Sequence, residues 1–304
     1  MSERTVRFYE IVNSERERLP EDINFEDLMY LVQNLPESEA YVSTRTMELL
    51  GSVHVPADDG HLFSGSPVVA LDRITRNPRI RIERKRNYRP LILDDDENLA
   101  EPTFFSIFPR NVIGVMRNSG SAPSVASIRE YLNKIQGAGP GFELMPLVDR
   151  NYIRALANID TLTKVDIEVG PEVVAEVFPE NSTIRGQLRA LNSSLGAVGF
   201  QFQIKMKAKE FAEQSEQMHS ELSELVEFGS FVYAERAKIA YKDIETKKMA
   251  DFDFINESVA VSVSVETDSD TGQPSEQSVS HAMSRAYSDA LDDVRSALRG
   301  VGEP

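Results

Sequence analysis

Eight lysine or arginine side chains fall within the seventeen positions from Arg73 to Arg89: Arg73, Arg76, Arg79, Arg81, Arg84, Lys85, Arg86 and Arg89. Glu83 is the one acid among them, for a local net charge of +7. Guanidinium forks match the paired oxygens of phosphates and carboxylates, so such a density is suited to nucleic acid or another polyanion. Asp94, Asp95, Asp96 and Glu97 then run together. About ten residues of chain let the two clusters meet, so the carboxylates are expected to act as an internal competitor that a polyanion displaces. The structural counterpart of this reading is that the arginines are neutralised within the protein, as charge runs in acidic proteins commonly are.

A second cluster, HVPADDGH, brings His54, Asp58, Asp59 and His61 within eight residues. Imidazole with carboxylate can bind a divalent metal that activates water for phosphoester hydrolysis, which makes a metal-dependent nuclease or phosphodiesterase the alternative function. The spacing fits no named zinc motif, and Asp-Asp-Gly is also a common turn. Asp94–Glu97 could offer oxygens to Mg²⁺ only through a tight turn. Glu235 and Lys238 are spaced for opposite faces of a strand. The glutamates of 209–227 read as the solvated face of an acidic helix. GAGPG lacks the lysine of a phosphate-binding loop, and no serine sits in a nucleophile elbow.

Composition narrows the classes further. Zero cysteines exclude disulfides, thiolate metal sites and a cysteine nucleophile, and only four histidines serve as bases or ligands. No credible catalytic cluster remains, so the reading is non-enzymatic, with no cofactor. The charged start, MSERTVRFYEIV, lacks a signal-peptide core, and no window is apolar enough for a membrane span. A cytoplasmic protein without membrane contact is expected.

The elements that must position these residues are legible in part. The chain has 304 residues, and Gly137 to Gly141 interrupt two well-patterned regions. Two domains are expected, 1–140 with the arginine-rich hairpin and 141–304. The first holds 17 basic and 21 acidic side chains, the second 16 and 28. VRFYEIV reads as a strand and NFEDLMYLVQNLP as a helix that Asn24 could cap. Val68–Arg76 and Arg79–Arg84 read as a hairpin, with Arg79 and Arg81 on its polar face. FFSIFPRNVIGVMRNSG reads as a hairpin turning at Pro109–Asn111, and SVASIREYLNKI as a helix capped by Ser124. FQFQIKMKAK and SVAVSVSVE alternate at period two. The uncharged outer face of the latter could pair with a neighbour or line a groove. ETDSDTGQPSEQ reads as an exposed loop, and Val279–Leu298 as one amphipathic helix ended by Gly300. Irregular succession of strands and helices predicts an α+β fold, two domains on mainly antiparallel sheets with packed helices.

FFSIFPRNVIGVMRNSGSAPSVASIREYL, Phe104 to Leu132, resembles a segment of uncharacterised bacterial proteins, some of them linked to mobile elements or phage defence. The resemblance implies a bacterial, intracellular role in responding to foreign nucleic acid and transfers no catalytic residue. Together these readings point to a binding or assembly protein that contacts nucleic acid through the arginine hairpin and a protein partner through its acidic second domain. Homo-oligomerisation is compatible with them.

Overall fold

The computed structural model describes residues 1–15, 17–20, 25–44, 47–56, 63, 66–75, 81–84, 87–90, 93–94, 97–136, 141–148, 159–170, 178–195, 199–205, 220–221, 224, 234–254, 258–268 and 273–299. Of these, 26, 37–38, 81–84, 87–90, 192, 195, 235 and 299 are described by their backbone alone. In chain order the elements run β1 (Ser2–Asn13), α1 (Glu26–Asn34), α2 (Glu37–Ala40), β2 (Tyr41–Ser43), β3 (Glu48–His54), β4 (Val68–Thr75), β5 (Arg81–Arg84), β6 (Asn87–Pro90), β7 (Leu99–Phe108), β8 (Val112–Arg117), α3 (Val125–Ile135) and β9 (Phe142–Pro146). They continue with β10 (Ile159–Val169), α4 (Thr183–Leu195), β11 (Phe200–Lys205), β12 (Ala234–Asp243), β13 (Met249–Asp253), β14 (Ala260–Val265), α5 (Glu276–Asp289) and α6 (Leu291–Arg299).

The fold is α+β, as its patterning predicts. A large antiparallel sheet has the order β14-β1-β8-β7-β4-β3-β2, with β9 also paired to β1. Alternation along its strands supplies two cores. On one face Ile11, Leu49, Leu71, Phe105 and Ile113 pack with Met29 of α1 and Ile128, Tyr131 and Leu132 of α3. On the other, Phe8, Phe104, Phe108, Val112 and Met116 pack with Val279, Met283 and Tyr287 of α5 and Val294 of α6. Residues 103–108 of β7 are therefore buried on both faces, which is why FFSIF reads as an unbroken apolar run.

Elements from both sides of residue 140 share this sheet. The first part of β1 pairs with β14 and its last part with β9. Between them the chain departs and returns: Leu147 N–H donates to Phe8 C=O, Phe8 N–H to Val259 C=O, and Val259 N–H to Leu147 C=O. The segment so bracketed builds a second antiparallel sheet, β11-β10-β12-β13. Its core of Leu162, Val165, Ile167, Phe178, Leu188 and Ile239 includes Ala126 from α3.

Several local expectations hold. Pro109–Asn111 turn the β7–β8 hairpin with Arg110 and Asn111 at φ 66 and 57, the left-handed region that asparagine tolerates. Ser124 accepts the Ser127 N–H at the start of α3. β11 shows the alternating burial its sequence announces.

Others are corrected. β4 pairs with β3 and β7, and the partner of β5 is β6. Val68, Val69 and Leu71 of β4 are buried, and a strand buried on both faces needs an apolar neighbour such as Phe104 and Phe105 of β7, which an arginine-rich strand cannot supply. The C-terminal helix is two, with Ala290 closing α5 before α6 begins at Leu291 with Asp292 and Asp293 in its first turn, where carboxylates are favourable. Phe25, not Asn24, is the N-cap of α1, and its N–H is taken by Asn111 Oδ1. Thr267 and Pro274 form an isolated bridge in the segment after β14. Asn24, Asn77, Pro78 and Gly300, and most of 209–227, lie outside the described residues.

Candidate functional site

The arginine-rich stretch forms a β-arm. β4 and β7 are paired up to Thr75 and Leu99, and the chain between those residues carries the two-stranded ribbon β5–β6, which among the described residues pairs with neither sheet. Its register sets Arg81 opposite Pro90, Ile82 opposite Arg89, Glu83 opposite Tyr88 and Arg84 opposite Asn87. Lys85 and Arg86, the two residues connecting the strands, lie outside the described residues, as do Arg76 and Arg79. A ribbon of this width is one of the elements that B-DNA's major groove admits.

Arg73 stands at the root of the arm. Its Nη1 donates to Ser121 C=O at 3.2 Å, while Ser121 Oγ donates to Glu101 Oε1 at 2.7 Å. Arg117 holds the same loop through Gly120 C=O and Ala122 C=O. Arg73 thus ties the β8–α3 loop to the sheet and also lines an open groove of about 440 Å³ with Ser43, Thr44, Met47, Glu48, Ile74 and Thr75. At the other root, Asp94 and Glu97 close a local turn: Glu97 N–H donates to Asp94 C=O and Asp94 N–H to Glu97 Oε2. Among the described residues neither carboxylate pairs with an arginine. Asp95 and Asp96 lie outside them.

Of the histidine cluster, His54 alone is among the described residues. His54 ends β3, and its Nδ1 lies 3.1 Å from Glu276 Oε2 in the first turn of α5. Asp72, on β4, stands opposite Leu50: burial first, and the charge of Glu276 second, push its carboxyl up from 3.8 to about 6. Asp58, Asp59 and His61 lie outside the described residues. Among the described residues no three His, Asp or Glu side chains converge as a metal site.

Sequence reasoning missed Asp72 and Glu276. The available signal was the lone carboxylate two positions beyond Ala70 on the face that Val68 and Ala70 present to α5, an unusual place to leave a charge. Two glutamates of the acidic segment, Glu221 and Glu224, are described with their partners. Glu221 accepts from both N–H and Oγ of Thr183, and Glu224 accepts from Asn181 at 2.7 Å, placing carboxylates at the start of α4 where the helix dipole favours them. Lys238 pairs with Asp253 at 2.7 Å.

A model for a family of unknown function (DUF6731) matches residues 71–295, which includes the arm, the second sheet and α5. The chain belongs to that family. No curated protein matches it. Among the described residues no helix is long and apolar enough to cross a membrane.

Proposed function

We propose that this DUF6731 chain is a non-enzymatic cytoplasmic binding or assembly protein that grips nucleic acid with the β5–β6 arm and a protein partner with its acidic second half. The observation that carries the reading is topological. Within the densest basic stretch of a chain of net charge −16, Arg81, Arg84 and Arg89 lie on a ribbon that, among the described residues, pairs with neither sheet. An acidic protein that binds a polyanion must concentrate its cations on an element separate from its carboxylates, because exposed charges are screened beyond about 8 Å at physiological salt. Arg73 and the Ser43 hydroxyl, in the groove at the arm's root, extend the donor set. The resemblance of Phe104–Leu132 to bacterial proteins linked to mobile elements supports foreign nucleic acid as the target.

Titration of labelled duplex DNA across salt tests this. If the arm neutralises roughly five phosphates, log affinity falls against log salt with a slope of about −4 to −5. Alanine at Lys85, Arg86 and Arg89 together should weaken binding and flatten the slope by roughly one for each phosphate no longer neutralised. Asn or Gln at Asp94, Asp95, Asp96 and Glu97 should strengthen nonspecific binding if these carboxylates compete with the polyanion. Absence of DNA and RNA binding at low salt, or a slope indifferent to the arm, sinks the proposal.

A further inference from the structure

The outer edge of β14 is a second recognition element, and its occupant can be read from its symmetry. β14 is the terminal strand of the large sheet and pairs on one side with β1. The Phe8 N–H bond to Val259 C=O, in register with Val6 opposite Val261, sets the alternation of the antiparallel ladder. The N–H and C=O groups of Val261, Val263 and Val265 point to β1, and those of Ala260, Ser262 and Ser264 point to the outer edge. Among the described residues nothing bonds to that outer set. It ends where Glu266 begins, since Glu266 N–H donates to Ser278 Oγ and its C=O accepts from Ser275 N–H.

Natural edge strands are guarded by charge, proline or brevity. β2 has three residues, β13 carries Asp251 and Asp253, and β11 ends in Lys205. β14, Ala-Val-Ser-Val-Ser-Val, carries none of these guards. Its sequence is also self-complementary. In an antiparallel pair centred on Ser262, Val261 meets Val263 of the other strand, Ser262 meets Ser262, and Ala260 meets Ser264. All the outward groups are used, every valine stays on the helix-covered face, and every serine stays on the exposed face.

We infer that β14 is a homodimerisation edge, joining a second copy of this chain in a continuous antiparallel sheet about a two-fold axis through Ser262. Isologous pairing of this kind closes on itself and leaves no further edge of the same type exposed. An uncharged seam also suits two subunits that each carry a net charge of −16.

The chain has no cysteine, so single cysteines report the register cleanly. Opposed residues of a hydrogen-bonded antiparallel pair have Cα atoms about 5.5 Å apart, within disulfide reach. Ser262→Cys should give a covalent dimer on mild oxidation. Ser264→Cys should not, because its own copy lies about 14 Å away along the partner strand at about 3.4 Å per residue. Ser264→Pro, which removes an outward N–H and none of the bonds to β1, should sediment as a monomer with unchanged circular dichroism, whereas the unaltered chain sediments as a dimer. A monomeric parent at about 100 µM, cross-linking of Ser264→Cys as efficient as that of Ser262→Cys, or a folded Ser264→Pro that remains dimeric would each overturn the inference.

Discussion

Asp72→Asn is expected to stabilise the protein at neutral pH, a rare outcome for a substitution at a partly buried position. In the folded protein burial and then Glu276 raise the Asp72 carboxyl from 3.8 to about 6. A carboxyl whose folded value lies above its unfolded one keeps its proton longer in the folded state. The folded state then binds more protons between pH 4 and 6, and stability falls as pH rises through that window. The displacement corresponds to about 3 kcal/mol at full strength, and screening of a side chain still partly in contact with water brings it to about 1–2 kcal/mol. Asparagine keeps the shape and cannot ionise. Urea denaturation between pH 3.5 and 8 should therefore show the variant more stable than the parent above pH 6 and level with it near pH 4. Glu276→Gln should remove only part of the parent's pH dependence, because desolvation is the larger cause. The reasoning fails if Asp72→Asn destabilises more at pH 7 than at pH 4, since that would mean the ionised carboxylate has a partner worth keeping.

Two further outcomes test the packing that holds the arm's root in place. A Cβ at Gly51 of β3 would lie 2.2 Å from Tyr131 Oη and 2.7 Å from its Cζ, against a ring with no exposed surface. Gly51→Ala should therefore cost about 3 kcal/mol, the upper end of ordinary overpacking, and Tyr131→Leu in the same chain should cost less than the sum of the two single changes. Simple additivity in urea denaturation would refute the contact. Ser124→Ala, which removes the side chain accepting Ser127 N–H, should lower stability by about 1 kcal/mol without altering DNA affinity.

What was legible in the sequence is what neighbouring residues decide among themselves. Pro109-Arg110-Asn111 specify a reversal whatever surrounds them, and Ser124 caps the helix that follows it. The partner of β5 was not legible. Adjacency favoured β4, yet β4 is claimed on both edges by β3 and β7, a competition settled by burial across the sheet. The same holds for β9 and β14, which meet β1 from opposite ends of a long inserted segment. The candidate site residues divide in the same way. The arginine density is a local property and was visible, while His54 and Glu276 become neighbours only when α5 closes over the sheet, so no spacing rule could have joined them.

The charge distribution ties the two interfaces together and gives them opposite responses to salt. Phosphates held by the arm release counterions, so added salt must weaken that complex. Two acidic chains meeting along an uncharged β14 have no attraction to screen and only their mutual repulsion, so added salt must tighten the dimer until screening is complete at a Debye length of about 3 Å near 1 M. Sedimentation of the chain alone and DNA titration over the same salt series therefore move in opposite directions. If the dimer instead dissociates as salt rises, charged side chains outside β14 hold it together, and the edge pairing through Ser262 is wrong whatever the arm binds.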